Sequence, residues 1–587
     1  MRLLLPLVAV LALLAALHGS AAAWTYGDTL TVIWKPLPNV PAILRPGDTL
    51  TVWANAPAGA GGWSAALNLS ARSYPLALTG GGWQPSLGWW VLSFAIPPGL
   101  PDELYDLALT CSACAADVAR HAVRVIPAFK SDFYFAQVTD THLPSHVYSS
   151  DGGFSVADTS SLADFDAVID DFNVIRPEFV LHTGDVVNEG ELEEYLGMHE
   201  LGRAQGMIAR LRDPIFYVSG NHDIGGWTPT PPPAGTSRKN WWRYFGWPAL
   251  ASPPAGYPYH SQDYSFDYGL LHCVGMEGYE NSGGYDNYLP AIYGASSMTA
   301  EQMSWLAADL AAAPPGHTRL AFIHYDYRSQ FANLAGLGLD GAIWGHDHGV
   351  PEGDRGARPF NLGLQSCLYN RSFRLIRVHD GVMTPGPMHR SGGAPMSAAD
   401  SLTVTWSGAN DGTRSRLSAT VRNLFGEAWD HARLVFHLAN HDSVYAATGG
   451  AIAQVVREGG TAAVYVDCTI PAAGTLAVSV VPTGPLGVPS AGAAALRLEA
   501  PRPNPFRPGL ALSLRYTLPS AGHASIRVYD LGGRLVATLL DGRAEPGDHA
   551  LLWDGCSRAG ELLGPGVYLV RLRTAAGERR VKLATLR

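Results

Sequence analysis

Five short stretches between residues 139 and 348 each join an apolar run to side chains able to hold a metal or move a proton. FYFAQV leads into Thr139-Asp140-Thr141-His142, FVLHT into Gly184-Asp185, and IFYVS into Gly220-Asn221-His222-Asp223. RLAFI leads into His324, and DGAIW into Gly345-His346-Asp347-His348. Taken singly, each has a plain alternative. Gly-Asp and Gly-Asn dipeptides are ordinary turns, and a lone histidine is more often a satisfied core residue than a ligand. Taken together, two carboxylates (Asp140, Asp185), one amide (Asn221) and four imidazoles (His142, His324, His346, His348) can hold two cations side by side if one carboxylate bridges them. Imidazole mixed with carboxylate suits Mn, Fe, Zn or Ni better than Ca or Mg. Two such ions roughly 3.5–4 Å apart activate water and clamp both oxygens of a phosphoryl displacement.

All five clusters follow an apolar run directly, so each is expected at the carboxyl end of a strand. In an open α/β sheet that edge is where ligands bind. The glycines at 184, 220 and 345 allow sharp turns and close approach of a ligand. Helical patterns separate the strands, over residues 164–175 and 299–313. The second opens on Thr299 with Gln302 three residues on, a capping-box arrangement. Strand and helix alternation over residues 129–395 predicts a layered α/β domain.

The order D-x-H, G-D, G-N-H-[DE], lone His and G-H-x-H, running from Asp140 to His348, resembles the calcineurin-like metallophosphoesterase superfamily over about residues 131–390. The resemblance implies a central α/β four-layer sandwich. It implies one metal on Asp140, His142, Asp185 and His348, with Asp185 bridging to a second held by Asn221, His324 and His346. His222 would stay off the metals as general acid or electrostatic stabiliser, with Asp223 orienting its ring. The implied reaction is in-line attack of a metal-bridging hydroxide on phosphorus, without a phosphoenzyme, on a phosphomonoester or phosphodiester small molecule. Purple acid phosphatases carry a tyrosine three residues after the G-D aspartate. Asn188 stands there in this chain, so no purple colour is expected. Asp140-Thr141-His142-Leu143 resembles the branch containing cyclic-nucleotide phosphodiesterases, whose diversity leaves the substrate open.

The rest of the chain reads differently. At 587 residues it exceeds one core, and roughly three to five domains are expected. Hydrophobic residues make up 47% and charged ones 16%, which excludes a disordered chain. A net charge of −10 gives no basic footprint, so no nucleic-acid partner is expected. Residues 1–23 have one charge (Arg2), an apolar run from Leu3 to Leu17 and the small triplet Ala21-Ala22-Ala23, the pattern of a secretory signal peptide. No further apolar stretch is long enough for a transmembrane anchor. Alternating β patterns predict sandwiches over residues 24–128 and 396–485, with a linker over 486–502.

Residues 503–587 resemble the Ig-like sorting domain of type IX secretion cargo and the related domain of flagellar hook-capping proteins. The matching points are Asn504-Pro505-Phe506, Tyr529-Asp530, Gly533-Arg534, Trp553-Asp554-Gly555 and Gly566-Val567-Tyr568. That resemblance implies a secretion-machinery partner and a secreted or cell-surface location. Cys111 and Cys114 could form a local disulfide, and Cys273, Cys367, Cys468 and Cys556 read as buried small hydrophobes. Residues 227–247, with Arg238, Lys239, Arg243 and four Trp, read equally as a substrate rim or a self-packed cover. His182, His260 and His272 lack motif spacing and read as structural; Tyr325 and Asp326 are candidates to support His324. A rival assignment is a surface adhesin or carbohydrate-binding protein with a degenerate phosphoesterase domain. Decay removes ligands, and none of the seven is missing, so an active hydrolase is favoured.

Overall fold

β-Branched and aromatic runs cut by Gly, Asn and Asp become strands along most of the chain. The computed structural model describes residues 32–143, 160–188, 194–224, 241, 263–277, 298, 300–326, 328–392, 402–439, 444–483, 496–510, 512–518, 522–545, 547–557, 561–574 and 577–586. The signal segment, Thr299, His260 and the 227–247 rim other than Trp241 lie outside these residues. Packing divides the chain into one unit of residues 1–405, 420–434 and 467–477 and another of 406–419, 435–466 and 478–587.

In the first unit, eight strands between Ile33 and Val125 form one continuous order. The strand Arg72–Gln84 explains this. Its first half pairs with Ser64–Leu69 and its second half with Trp89–Ala95, so one strand serves both sides of the fold. The change of partner falls between Leu76 and Ala77, and a register shift follows between Leu78 and Gly80. Gly81 has φ +105°, and a Cβ there would lie 2.2 Å from the Val91 carbonyl oxygen. The sheet closes over a core that includes Val52, Leu67, Phe94 and Leu107. The Cys111–Cys114 disulfide is formed. Cys273, Cys367 and Cys468 are buried, whereas Cys556 is half-buried because it sits in the turn after Trp553.

Residues 132–390 hold the five clusters. The elements used below are β1 (Asp132–Val138), α1 (Ser160–Ile175), β2 (Val180–His182), α2 (Glu194–Ile208), β3 (Ile215–Tyr217), α3 (Asn221–Ile224), β4 (Tyr264–Tyr268), β5 (Leu271–Met276), α4 (Ala300–Ala312), β6 (Thr318–Ile323), β7 (Gly341–Trp344), β8 (Phe360–Gly363), β9 (Ser372–His379) and β10 (Val382–Arg390). They build two five-stranded sheets, ordered β3-β2-β1-β9-β10 and β4-β5-β6-β7-β8. Strands β1, β2 and β3 are parallel, as are β5 to β8. The clusters therefore leave two sheets rather than a single open one.

Apolar residues on both faces of these strands explain the layering, because each sheet must be covered twice. Phe135, Leu181 and Phe216 of one sheet share a core with Leu271, Phe322, Ile343 and Leu362 of the other. On the outer faces, Phe172 of α1 meets Phe373 of β9, with ring centroids 5.2 Å apart. Leu306 and Leu310 of α4 join Val274, Met276, Ala321 and Ile323. The Gln302 side-chain amide donates to Asp263 and to the Glu277 carbonyl, which ties α4 to β5. Gln137 of β1, fully buried, donates to the Trp344 carbonyl of β7 and links the sheets beside the clusters.

Residues 402–482 contribute sheets of four and three strands, and residues 497–585 another three and four. The last group closes on Leu514, Ile526, Trp553 and Val570. No helix among the described residues is long and apolar enough to cross a membrane, which leaves β-barrel spans unaddressed.

Candidate metal centre

The chain leaves β1 at Thr139 and cannot continue as a strand, because Asp140 and His142 both take left-handed backbone conformations, φ 51° and 43°. Asp185 after β2 and His346 after β7 do the same, at φ 53° and 66°. Such values are uncommon for residues with a Cβ and persist where the surroundings enforce them. Here the enforcing contacts are visible. Asp140 N–H donates to the Gly184 carbonyl, His142 N–H to the Asp185 carbonyl and Gly345 N–H to the His324 carbonyl. Adjacent loops are thereby stitched in pairs, and each turn throws its side chain toward a common point.

Each carboxylate is held by one oxygen and presents the other. Asp140 Oδ2 accepts from Thr139 Oγ1 at 2.6 Å and from His346 N–H at 3.0 Å. Its Oδ1 is buried, has no hydrogen-bond donor, and faces His348 Nε2 at 3.4 Å and His142 Nε2 at 3.7 Å. Asp185 Oδ1 accepts the His222 N–H at 2.9 Å, while Oδ2 faces His324 Nε2 at 3.2 Å and His142 Nε2 at 3.7 Å. His324 Nδ1–H donates to the Thr183 carbonyl at 2.7 Å, which aims Nε2 at Asp185 and at Asn221 Oδ1, 3.2 Å away. His142 Nε2 and His348 Nε2 face each other at 3.0 Å. Buried carboxylate oxygens without donors and imidazole nitrogens turned toward one another are what a bound cation would reconcile. The groups Asp140/His142/His348 and Asp185/His324/His346 each bring their ligand atoms within 4.8 Å of one another.

These observations meet the comparisons with known proteins. Residues 133–350 match the family model described as calcineurin-like phosphoesterase. This segment is a calcineurin-like phosphoesterase domain. Among solved structures, the chain is similar to a dimetal phosphatase from Danio rerio at 15% identity, covering 45% of this chain and 98% of that one, with a TM-score of 0.31. A purple acid phosphatase from yellow lupin (Lupinus luteus) seeds aligns at 13% identity over 64% of this chain and 70% of that one, also with a TM-score of 0.31. FlgD from P. aeruginosa aligns at 24% identity over 13% of this chain and 59% of that one, with a TM-score of 0.11. No curated protein matches significantly.

Within the phosphoesterase domain, all seven expected ligand residues converge. The glycines between them act more by absence of bulk than by flexibility. Gly184 is left-handed at φ +97°, but Gly220 and Gly345 are not. A Cβ on Gly220 would lie 2.2 Å from Asp185 Oδ1 and 2.7 Å from His324 Nε2; one on Gly345 would lie 1.9 Å from Thr139 Oγ1.

One expected role changes. The His222 ring does not lean on Asp223; its Nδ1–H donates to the Asn188 carbonyl at 2.5 Å. Both Asp223 oxygens are engaged by the loop, accepting Gly220 N–H at 2.8 Å and Val187 N–H at 3.0 Å. The aspartate therefore shapes the turn that carries Asn221 and His222. Its spacing in G-N-H-D places it one residue from His222, too close along the short α3 for its carboxylate to reach around to the ring. Tyr325, expected as support, packs its ring 4.2 Å from His346 and 4.9 Å from His324. Asp326 instead accepts from Asn361 at 3.3 Å.

Electrostatics follow burial. Burial alone would lower His324, but the Asp185 and Asp140 carboxylates outweigh it and raise the ring to about 9. Both aspartates lie well below the usual carboxylate range despite burial, because imidazoles surround them. A proton on His324 and a cation between these groups compete for one place. Burial lowers His346 and His222, each to about 4. Sequence reasoning missed Thr139, the Thr183 carbonyl and the Asn188 carbonyl as supports. Each sits one to three residues from a motif position, which was the only available signal.

Proposed function

We propose that this protein is a secreted dinuclear-metal phosphoesterase acting on a phosphomonoester or phosphodiester small molecule. The observation that carries the reading is the completed ligand set: Asp140, His142, Asp185, Asn221, His324, His346 and His348 at one edge of two sheets, with Asp140 Oδ1 buried and undonated. Asp140, His142, Asp185 and His348 would hold one cation, and Asn221, His324 and His346, with Asp185 shared, would hold the second. When bound, the pair (from Mn, Fe, Zn or Ni) supplies an acidified water and positive charge for phosphoryl oxygens.

The chain's own residues do the rest. Asp185, fixed through Oδ1 by the His222 N–H, keeps Oδ2 common to both halves of the site. His222 stands off the metals and works through Nε2, because Nδ1 is taken by Asn188. Burial favours the neutral form of that ring; a phosphate oxygen against Nε2 acts in the opposite sense and favours the proton it must donate. A degenerate, purely adhesive domain is disfavoured by the intact set. Secretion, a cell-surface location and a sorting role for residues 503–587 rest on the sequence patterns of the two chain ends.

The test is parallel assay of the purified protein with Mn, Fe, Zn or Ni on phosphomonoesters, phosphodiesters, cyclic nucleotides and nucleotide sugars. Hydrolysis of at least one class is expected, with two metals bound. No hydrolysis under any condition would overturn the enzyme reading.

A further inference from the structure

His182 lies outside every motif, yet both its ring nitrogens are committed between two ligand loops. Gly184 N–H approaches His182 Nδ1 at 3.2 Å, so Nδ1 must accept and the ring hydrogen sits on Nε2. Nε2–H then donates to Thr141 Oγ1 at 3.1 Å, and Thr141 Oγ1–H donates to the Val186 carbonyl at 2.9 Å. The chain of donors has one consistent direction, from the 184–187 loop through the ring to the 139–142 loop and back. Thr141 stands between Asp140 and His142; Gly184 precedes Asp185. The relay thus spans three residues held at left-handed φ. His182 is fully buried, its ring 4.7 Å from that of Tyr217 and 6.3 Å from that of Phe165. Burial lowers its pKa to about 3, which keeps the neutral tautomer that the relay needs.

We propose that His182 and Thr141 form a positioning relay that fixes the Asp140–His142 half of the two-cation centre, without touching a cation. The inference rests on the two-cation reading above. It distinguishes the two halves of the site. Asn221, His324 and His346 follow β3, β6 and β7, and none of them is hydrogen-bonded to His182 or Thr141 among the described residues. His324 is held by the Thr183 carbonyl, on the far side of the peptide whose N–H begins the relay, so Thr141 is the relay member most remote from it. Removing the Thr141 hydroxyl should loosen one half and spare the other.

The experiment is calorimetric titration of the metal-stripped full-length protein with Zn²⁺, with melting of the stripped form alongside. Wild type is expected to show two binding events. His348→Ala identifies the event belonging to the Asp140 half, and His346→Ala the other. Thr141→Val, matched in shape, should weaken the first event about 10–100-fold and leave the second within about 3-fold. Thr141→Ser should restore it to within about 3-fold of wild type. His182→Phe keeps the aromatic packing and should weaken the first event at least as much, and adding Thr141→Val to it should cost no more than about 3-fold further. The proposal is overturned if Thr141→Val weakens both events alike, leaves both unchanged, or adds in full to His182→Phe. Should His182→Phe not fold, the valine and serine variants decide alone. A wild-type protein that binds no Zn²⁺ overturns the two-cation reading and this inference with it; two normal events in both variants overturn the inference only.

Discussion

Two clusters of histidine and aspartate sit at opposite ends of the same strands, and only one is built like a ligand site. At the carboxyl edge, His324 follows β6, Asp140 Oδ1 and His142 Nδ1 are buried without a hydrogen-bond partner, and His142 Nε2 and His348 Nε2 meet at 3.0 Å. At the amino edge, His272 at the start of β5 places Nδ1 2.9 Å from Asp267 Oδ1 and Nε2 2.9 Å from Asp309 Oδ2. Asp309 is further satisfied by Ser265 at 2.8 Å, and His317 approaches Asp267 at 3.4 Å. Residue types are nearly the same at both ends. What differs is satisfaction. At the amino edge His272 closes as an imidazolium between two carboxylates, with His317 Nδ1 beside it left without a hydrogen bond, whereas the carboxyl-edge cluster turns a carboxylate oxygen and several imidazole nitrogens toward one another, an arrangement a cation would close. A count of ligand-type residues would not separate the two; an accounting of their hydrogen bonds does.

The sharpest way to break this contrast is at Asp185, the one carboxylate shared by both halves. Asp185→Asn should remove both metals and lower turnover by on the order of 10³-fold or more, read by elemental analysis and initial rates. Retained metal would mean the two halves are independent. His222→Ala is next. Turnover should fall about 10²–10⁴-fold with two metals still bound, which separates chemistry from assembly. Loss of metal in that variant would instead make His222 a ligand, an option its place near His142 and Asp185 makes worth measuring.

Gly220→Ala probes the crowding around the acceptors. The new methyl meets Asp185 Oδ1, Asp185 N and His324 Nε2 at 2.7 Å or less. Because one of these is backbone, metal affinity should drop about 10–100-fold. Gly202→Ala on α2, with no atom within 4 Å, should be neutral or slightly stabilising. Equal effects in the two variants, measured by metal titration, would show that the glycine near the site has no special role.

The convergence of the seven candidate residues was readable in the sequence because motif spacing survives folding: apolar run, glycine, polar group. The helical stretch 164–175 and the strands were readable by periodicity, and α1 and α4 form where expected. What could not be read is the work of the backbone. Left-handed Asp140, His142, Asp185 and His346 carry only a weak local signature: Asp and His tolerate those angles better than most residues with a Cβ, but neighbouring loops decide where they are adopted. Sheet count could not be read from the strand pattern, only from the family resemblance, because parallel strands covered on both faces look alike whether one sheet or two is built. Asp223 shows the limit of motif logic. Its spacing fits a ring-orienting partner, but its carboxylate is consumed by amides of Gly220 and Val187 that only the folded loop brings near.

The smallest expected effect lies at the amino edge. Burial lowers His272, but hydrogen bonds to Asp267 and Asp309 and their charge reverse this and raise it to about 9. A raised folded-state value means that protonation is bound more tightly by the native protein. The contribution is therefore complete below the ordinary histidine range near pH 6.5 and is lost as pH rises through about 9. Asp267 is half exposed, so solvent screening limits the gain to about 1–2 kcal/mol. Wild type should lose about 1–2 °C of melting temperature between pH 7 and pH 9.5 from this source. His272→Gln should melt lower at pH 7 and show a flatter slope over that interval. Its metal stoichiometry should stay at the wild-type value, because the amino-edge cluster is closed without a cation. If chelation instead flattens the wild-type slope to that of the variant, the two ends of the strands are linked, and the division between a site that waits for a cation and one that is complete does not hold.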